Sequence, residues 1–173
     1  MKQKRILGQF LSIMQQYEHA LDTYTFEQLV KKPSAQQWSL GEMYNHIIET
    51  GLLQIAALKK CVDAPKMPGA TKTWKGKVVF MLGSIPPIRA KVPESAEHTA
   101  FQPTSKEELK ERLQAFAQEM RDLAPQLEKI DSDRKVEHPY FGHINAIEWY
   151  DHILMHVRHH LRQKKRLDAW LNI

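Results

Sequence analysis

Apolar residues recur at intervals of three and four positions in four long segments of the chain, a spacing typical of amphipathic α-helices. These segments span about 6–21, 40–58, 109–130 and 146–166. A shorter apolar group at 26–30 predicts one further helical turn. We see no alternating strand pattern, so the hydrophobic periodicity predicts an all-α protein whose four long helices pack as a four-helix bundle.

Polar residues mark where these helices begin and end. Three of the segments start with a capping-box pair, in which a short polar residue precedes a glutamate by three positions. The pairs are Ser39 with Glu42, Ser105 with Glu108, and Asn145 with Glu148. Pro125 lies within the third segment, where a proline removes a backbone donor and clashes with the preceding turn. We therefore expect the third helix to kink or end there.

The stretch 62–103 between the second and third helices has a different character. It contains six of the nine prolines, and only Trp74 and the apolar run 78–82 suggest a short helix within it. A connection of this length in a compact domain is usually functional or structured in its own right. It would suit a lid or wall over a site, or a crossover packed on the bundle.

Composition places the chain among ordinary globular proteins. Its 173 residues fit a single domain over 1–173, and 42% of them are hydrophobic. Polar residues interrupt the basic N-terminal segment, so no signal peptide or membrane span is expected. Cys61 is the only cysteine, which excludes an internal disulfide. We expect a cytoplasmic protein without a membrane partner.

The formal net charge of +5 is concentrated near the end of the fourth helix. Arg158, Arg162 and the run 164–166 contribute five positive charges, which oppose the negative end of a helix dipole. A nucleic-acid patch is the alternative interpretation. No aromatic residue alternates with these charges to stack on bases, so no nucleic-acid partner is expected.

Histidines are concentrated in the same helix. Residues four apart lie on one helix face about 6 Å apart along the axis, so His152, His156 and His160 form two overlapping pairs. All three cannot bind one ion, because the outer two are about 12 Å apart. Spacing therefore selects His156 and leaves its partner open. A third ligand must come from another helix, for which His46 is the best candidate, with Glu49 one turn later as a further ligand, a hydrogen-bond acceptor or a catalytic base.

The remaining histidines fit this pattern less well. His159 is rotated about 100° from its neighbour and is expected to support the site or to contact solvent. His138 and His143 flank the loop before the fourth helix and would at most line the mouth of a site. His19 and His98 lie away from the pattern.

Three short motifs carry a family resemblance. One is Trp38-Ser39-Leu40-Gly41-Glu42 followed by His46, and another is His156-Val157-Arg158-His159-His160-Leu161-Arg162-Gln163. Both resemble the signatures of the DinB-like superfamily. The lead-in 141–149 and the doubled histidine 159–160 resemble a subfamily of unassigned function.

This resemblance implies an up-down-down-up bundle that holds a divalent metal ion, zinc or nickel. By match to the motif, the ligands would be His46, His156 and His160, with water completing the coordination shell. His152 would then be a neighbour of the site, and Gln163 would lie on the same helix face as the last ligand.

Three functions are consistent with such a site. The first is a thiol-dependent S-transferase in which the metal activates a low-molecular-weight thiol for attack on a small-molecule substrate. The second is hydrolysis by metal-activated water, and the third is a non-catalytic stress-response binding module. Cys61 is expected to be a packed thiol rather than the nucleophile. An apolar helix face would also suit a homodimer.

Overall fold

The computed structural model describes residues 2–86 and 100–173. Four long helices dominate it: α1 (Lys2–Thr23), α3 (Leu40–Lys60), α5 (Lys106–Leu123) and α6 (Ala146–Leu171). Two short helices are α2 (Phe26–Val30) and α4 (Trp74–Leu82), and a single 3₁₀ turn spans Leu127–Lys129. The predicted all-α bundle is confirmed.

The bundle is organised around its last helix. α6 packs against both α1 and α3, and α5 packs against the same two helices from the other side. The residues that meet at the centre are almost all apolar. Among the largest fully buried side chains are Tyr17, Tyr44, Tyr150, Phe10 and Phe116. Burial of such aromatic side chains dominates the energetics of a core of this size.

Three buried tyrosines fix the helices relative to one another. The Tyr17 hydroxyl donates to the carbonyl of Val157 at 2.9 Å, and the Tyr44 hydroxyl donates to the carbonyl of Tyr17 at 2.8 Å. The Tyr150 hydroxyl donates to the carbonyl of Met120 at 2.7 Å. Burial without a partner would cost each hydroxyl its hydration, so these bonds specify which helix faces meet.

Most predicted helix boundaries are correct. Ser39 and Asn145 each accept a hydrogen bond from the third residue of the following helix, and both capping boxes are complete. At the start of α5, Ser105 accepts from Glu108 as expected, but the Glu108 carboxylate bonds to Thr104 instead of closing the box.

Pro125 and Asn172 lie just beyond the ends of the last two long helices. The third long helix, α5, stops at Leu123, and Pro125 separates it from the 3₁₀ turn, as the position of the proline predicted. The fourth long helix, α6, runs to Leu171, five residues beyond the predicted end at Arg166. An ion pair between Lys164 and Asp168 and a left-handed cap at Asn172 account for the extra length.

The absence of strands was predicted wrongly. Strands β1 (Lys135–His138) and β2 (Gly142–Asn145) form an antiparallel hairpin directly before α6. The buried positions of β2 do alternate, but four residues are too few to stand out in a polar loop. Gly142 also pairs with Lys72, so the hairpin ties the long connection to the bundle.

Candidate metal centre

Three buried histidines converge between α3 and α6. Nε2 of His156 lies 3.2 Å from Nε2 of His46 and 3.1 Å from Nε2 of His160. One nitrogen from each residue falls within 4.8 Å of the others. The two helices thus bring together residues 110 positions apart, and the set is the one that the family motif indicated.

This arrangement fits a single transition-metal ion. Nitrogens that bind zinc at about 2.0–2.1 Å with tetrahedral angles are about 3.3 Å apart, close to the observed spacing. Neutral imidazole is also a preferred ligand of zinc, nickel, copper and iron. Protein side chains could supply three ligands here, the number found in catalytic zinc sites that leave a coordination position open.

Burial keeps these imidazoles in the form that binds metal. Burial, with a smaller contribution from neighbouring histidines, lowers the pKa of His46 to about 4 and that of His160 to about 3. The pKa of His156 is lowered in the same way, first by burial and then by His160 and His46. All three are therefore neutral near neutral pH, when each has a nitrogen lone pair available.

Hydrogen bonds orient two of the three ligands. Gln163 Oε1 lies 2.8 Å from Nδ1 of His160, and because a carboxamide oxygen only accepts, that Nδ1 carries the proton. Nε2 of His160 is then the lone-pair nitrogen that faces the cluster. On α3, Oγ1 of Thr50 lies 3.4 Å from Nδ1 of His46. Thr50 was not among the residues predicted for the site, although its i+4 spacing from His46 was a usable signal.

Trp38 forms an aromatic wall beside the centre. Its ring lies 4.6 Å from that of His46 and stacks at 6.5 Å on that of His160, measured between centroids. Trp38 precedes the N-cap residue Ser39, so the start of α3 places it against the ligands. The tryptophan of the first motif thus has a direct contact role that the motif alone did not reveal.

His152 belongs to a neighbouring aromatic cluster. Its ring lies 4.9 Å from that of His138, 5.0 Å from Phe141 and 6.4 Å from Trp149, while the ring of His156 is 6.5 Å away. His152 is buried, but it is outside the group of three converging nitrogens. It lies beside the three converging histidines without joining them.

His159 contacts the centre from the side. Its ring meets that of His160 edge-on at 5.3 Å, and the backbone of Ile85 approaches it closely enough to favour its protonated form. Burial nevertheless lowers its pKa. The contact with Ile85 shows that the chain following α4 passes along the outside of α6 next to the ligands, so part of the long connection flanks the site. Residues 87–99, which include His98, lie outside the described residues.

The two carboxylates considered as bases have other partners. Glu49 pairs with Arg112 at 2.5 Å, and its side chain is 34% exposed. Glu42 accepts from the Ser39 backbone and pairs with Lys32, both at 2.8 Å. In the described part of the chain, neither joins the three-histidine group. A catalytic role for Glu49 remains a hypothesis that these contacts do not favour.

Cys61 lies just after the last residue of α3 and is fully buried. Burial raises the pKa of its thiol to about 11. A buried thiol with such a pKa is a poor nucleophile, since the thiolate is the reactive form. Its packing agrees with the interpretation of Cys61 as a core residue.

Comparison with known proteins identifies the family. The family model of the DinB superfamily matches residues 9–163. The chain belongs to the DinB superfamily. Among curated proteins it is similar to the uncharacterized protein YuaE of Bacillus subtilis, with 27% identity over 142 residues that cover 82% of this chain and 83% of YuaE.

A solved four-helix-bundle structure shares the fold. YfiT from Bacillus subtilis, described as a probable metal-dependent hydrolase with an unusual four-helix bundle topology, superposes with a TM-score of 0.66. The match covers 98% of this chain and 87% of YfiT at 12% identity, a level at which it shows the fold alone. Separately, none of the helices in the described part of the chain is both long and apolar enough to cross a membrane.

Proposed function

We propose that this DinB-superfamily protein is a metal-dependent enzyme whose His46, His156 and His160 hold one divalent zinc or nickel ion. The observation that carries the proposal is the convergence of three Nε2 atoms, with neighbouring pairs 3.1 and 3.2 Å apart. Hydrogen bonds between neutral imidazoles account for this arrangement less well, because a single Nε2–H proton on His156 can make a full hydrogen bond to only one of the two facing nitrogens. A cation at that point accounts for the arrangement.

The chemistry follows from the open coordination position. A bound divalent ion would lower the pKa of a coordinated thiol or water molecule into the physiological range. The protein's own part is to hold the three imidazoles neutral, to orient His160 through Gln163, and to shield one side with Trp38. Such shielding from water strengthens every electrostatic interaction at the site.

Within this class, we favour thiol-dependent S-transfer to a small-molecule substrate. The pairing of the nearby carboxylates favours a thiol over water. Glu49 is paired with Arg112, and Glu42 with Lys32, so neither candidate base is free to take a proton from water. A thiol is far more acidic than water and needs less help to ionise. Because Cys61 is buried, the thiol would be an external low-molecular-weight compound.

Hydrolysis by activated water is the second candidate. Its support is the shared fold of YfiT, which is described as a probable metal-dependent hydrolase. The third candidate is a non-catalytic stress-response module, in which the metal ion would serve only to bind a partner. The three candidate functions share the metal centre. They differ only in what would bind at the open coordination position of the metal, and in whether a reaction follows.

The metal centre is tested first. Protein purified without chelator or nickel-affinity resin should contain one divalent ion per chain by elemental analysis. Each of His46→Ala, His156→Ala and His160→Ala should lose that ion, while His19→Ala, an exposed histidine on α1, should retain it. Unchanged metal content in the three site variants would show that the centre is elsewhere.

Activity then separates the candidates. Wild-type protein is assayed for conjugation of electrophilic substrates with and without a low-molecular-weight thiol, and in parallel for ester and amide hydrolysis. Turnover that requires the thiol supports S-transfer. Turnover independent of thiol supports hydrolysis, and a metal-loaded protein that turns over none of these substrates supports the binding module.

A further inference from the structure

The outer face of α4 is apolar although it faces solvent. Trp74 is 72% exposed, Met81 78% and Leu82 59%, and Val78 is 38% exposed. These residues occupy positions i, i+4, i+7 and i+8, so they form one stripe along the helix. A surface helix normally turns polar residues outward. A contiguous exposed stripe of this kind indicates an interaction surface.

The inner face of the same helix is already packed. Val79 is buried, and a Cβ added to Gly76 would lie 2.5 Å from the carbonyl oxygen of Phe141. The Thr73 backbone amide donates to that same carbonyl at 2.8 Å. α4 is therefore fixed against the hairpin, and the stripe cannot be buried by a simple rotation of the helix.

The charged residues of α4 and of the chain on either side of it are all basic. The sequence contains no acidic residue between Asp63 and Glu94. Lys75 and Lys77 are exposed on α4, and the Lys75 ammonium lies 5.8 Å from the centre of the Trp74 ring. Neither lysine has a salt bridge within residues 2–86 and 100–173. The exposed surface of α4 thus combines large apolar side chains with two lysines that form no salt bridge to any other described residue.

We propose that α4 docks this protein onto an anionic lipid surface. Interfacial helices place tryptophan and aliphatic side chains at the boundary of headgroups and acyl chains, and their lysines among anionic headgroups. The stripe and the two lysines supply both components. This proposal revises the expectation, drawn from the sequence, that the protein has no membrane partner. It is independent of the chemistry proposed for the metal centre.

Charge and residue composition also argue against two other partners for the apolar stripe of α4, a second copy of this chain and another protein. A two-fold contact between α4 helices of two copies would bring both lysine pairs together, and like charges across an interface are unfavourable. An acidic groove on another protein would match the charge, but lysine is depleted from protein–protein interfaces. A lipid surface accommodates several like charges at once, because its headgroups are mobile.

The test is co-sedimentation of the full-length protein with lipid vesicles. Wild-type protein should bind vesicles that contain phosphatidylglycerol and should not bind pure phosphatidylcholine. Binding should weaken as salt is raised, since exposed charges are screened. Failure of the wild-type protein to bind the anionic vesicles at low salt would overturn the proposal.

Variants assign the binding to α4. The pair Trp74→Ser with Met81→Ser should abolish sedimentation. The pair Lys75→Glu with Lys77→Glu should weaken it by at least about 25-fold, because each lysine near an anionic surface contributes about fivefold. The matched controls are Leu53→Ser, which removes another exposed apolar residue, and Lys60→Glu, which reverses another exposed lysine.

The controls should bind like the wild type. If they lose binding as strongly as the α4 variants do, attraction is not specific to this helix and the proposal fails. It also fails if size-exclusion chromatography shows a wild-type dimer that Trp74→Ser with Met81→Ser dissociates, because a second copy would then cover the stripe. Metal content should remain unchanged in every variant, which separates this result from the test of the metal centre.

Discussion

Single residues decide how the ligands are presented. The hydrogen bond from Nδ1 of His160 to Gln163 selects the tautomer whose Nε2 faces His156. Partners of this kind fix ring orientation and raise the basicity of the ligand. Gln163 belongs to the same helix as the ligand, three positions later, so helical geometry alone maintains the contact.

Replacement of Gln163 by leucine should therefore weaken metal binding without abolishing it. The side chain keeps a similar size but no longer accepts from His160, and loss of such a partner typically costs 10-fold to 100-fold in affinity. Competition with a chromophoric chelator measures the change. Lys165→Ala, two positions later on the same helix, is the control and should bind as the wild type does. Equal affinity for Q163L would contradict the orienting role.

Other residues near the centre illustrate the limits of local patterns. Glu49 has the spacing of a ligand one turn after His46, yet its carboxylate pairs with Arg112 on α5. A sequence cannot show this preference, because Arg112 is 63 positions away and reaches Glu49 only after α3 and α5 pack. Spacing on one helix proposes candidates, and contacts between helices choose among them.

At the scale of elements, close contact between α3 and α5 depends on a residue without a side chain. Gly51 is buried in α3, and a Cβ added there would lie 2.3 Å from Cζ of Phe116. Phe116 is itself buried and meets Phe10 edge-on at 5.3 Å, so the ring has no space to withdraw. The glycine allows two helices to approach that would otherwise be held apart.

Gly51→Ala should destabilise the protein despite the higher helix propensity of alanine. Overpacking of this kind typically costs about 1–3 kcal/mol. Gly8→Ala is the matched comparison, because Gly8 is exposed on α1 and nothing lies within 4 Å of an added Cβ. That substitution should stabilise by about 0.5–1 kcal/mol. Chemical denaturation of both variants measures the difference, and equal shifts would contradict the packing argument.

The hairpin before α6, which the sequence did not predict, also positions His138 beside the histidine cluster. His138, at the end of β1, stacks on Phe141 at 4.3 Å, and its Nδ1 accepts from the backbone amides of Tyr140 and Phe141. The turn is thus closed by an imidazole that packs against Trp149 of α6 at 5.0 Å. The hairpin carries this ring to the cluster that flanks the metal centre.

At the scale of the whole molecule, buried neutral histidines make stability depend on pH. Burial lowers the pKa of His138 from 6.5 to about 4. Below 6.5 the unfolded chain therefore binds a proton that the folded chain does not, and stability falls as the pH decreases from there towards about 4. The carboxyl groups with lowered pKa values, such as Asp131, act in the same direction at lower pH.

The free energy of unfolding of metal-free protein should accordingly decrease between about pH 7 and about pH 5. His138→Phe, which retains an aromatic ring against Phe141, should reduce this decrease. Denaturant titrations of both proteins in the presence of a chelator measure the two slopes. A stability that is constant over this range, or a slope that H138F leaves unchanged, would contradict the assignment.

The amino-acid sequence by itself determined the local structure of this protein. The helices that contain Tyr17, His46, Phe116 and His156 follow from apolar spacing, and their ends from capping residues and Pro125, because these signals act within a few positions along the chain. The family motif also indicated the three histidines as a set, whereas spacing alone had left the partner of His156 open.

Only the tertiary structure decided how distant segments meet. It brought His46 to His156 across 110 positions, engaged Glu49 with Arg112, and formed a hairpin from a segment without a visible strand pattern. It also left the apolar stripe of α4 in solvent, which hydrophobicity alone would assign to the core. These outcomes depend on which helix faces pack together, and packing is a property of the whole chain rather than of any local pattern.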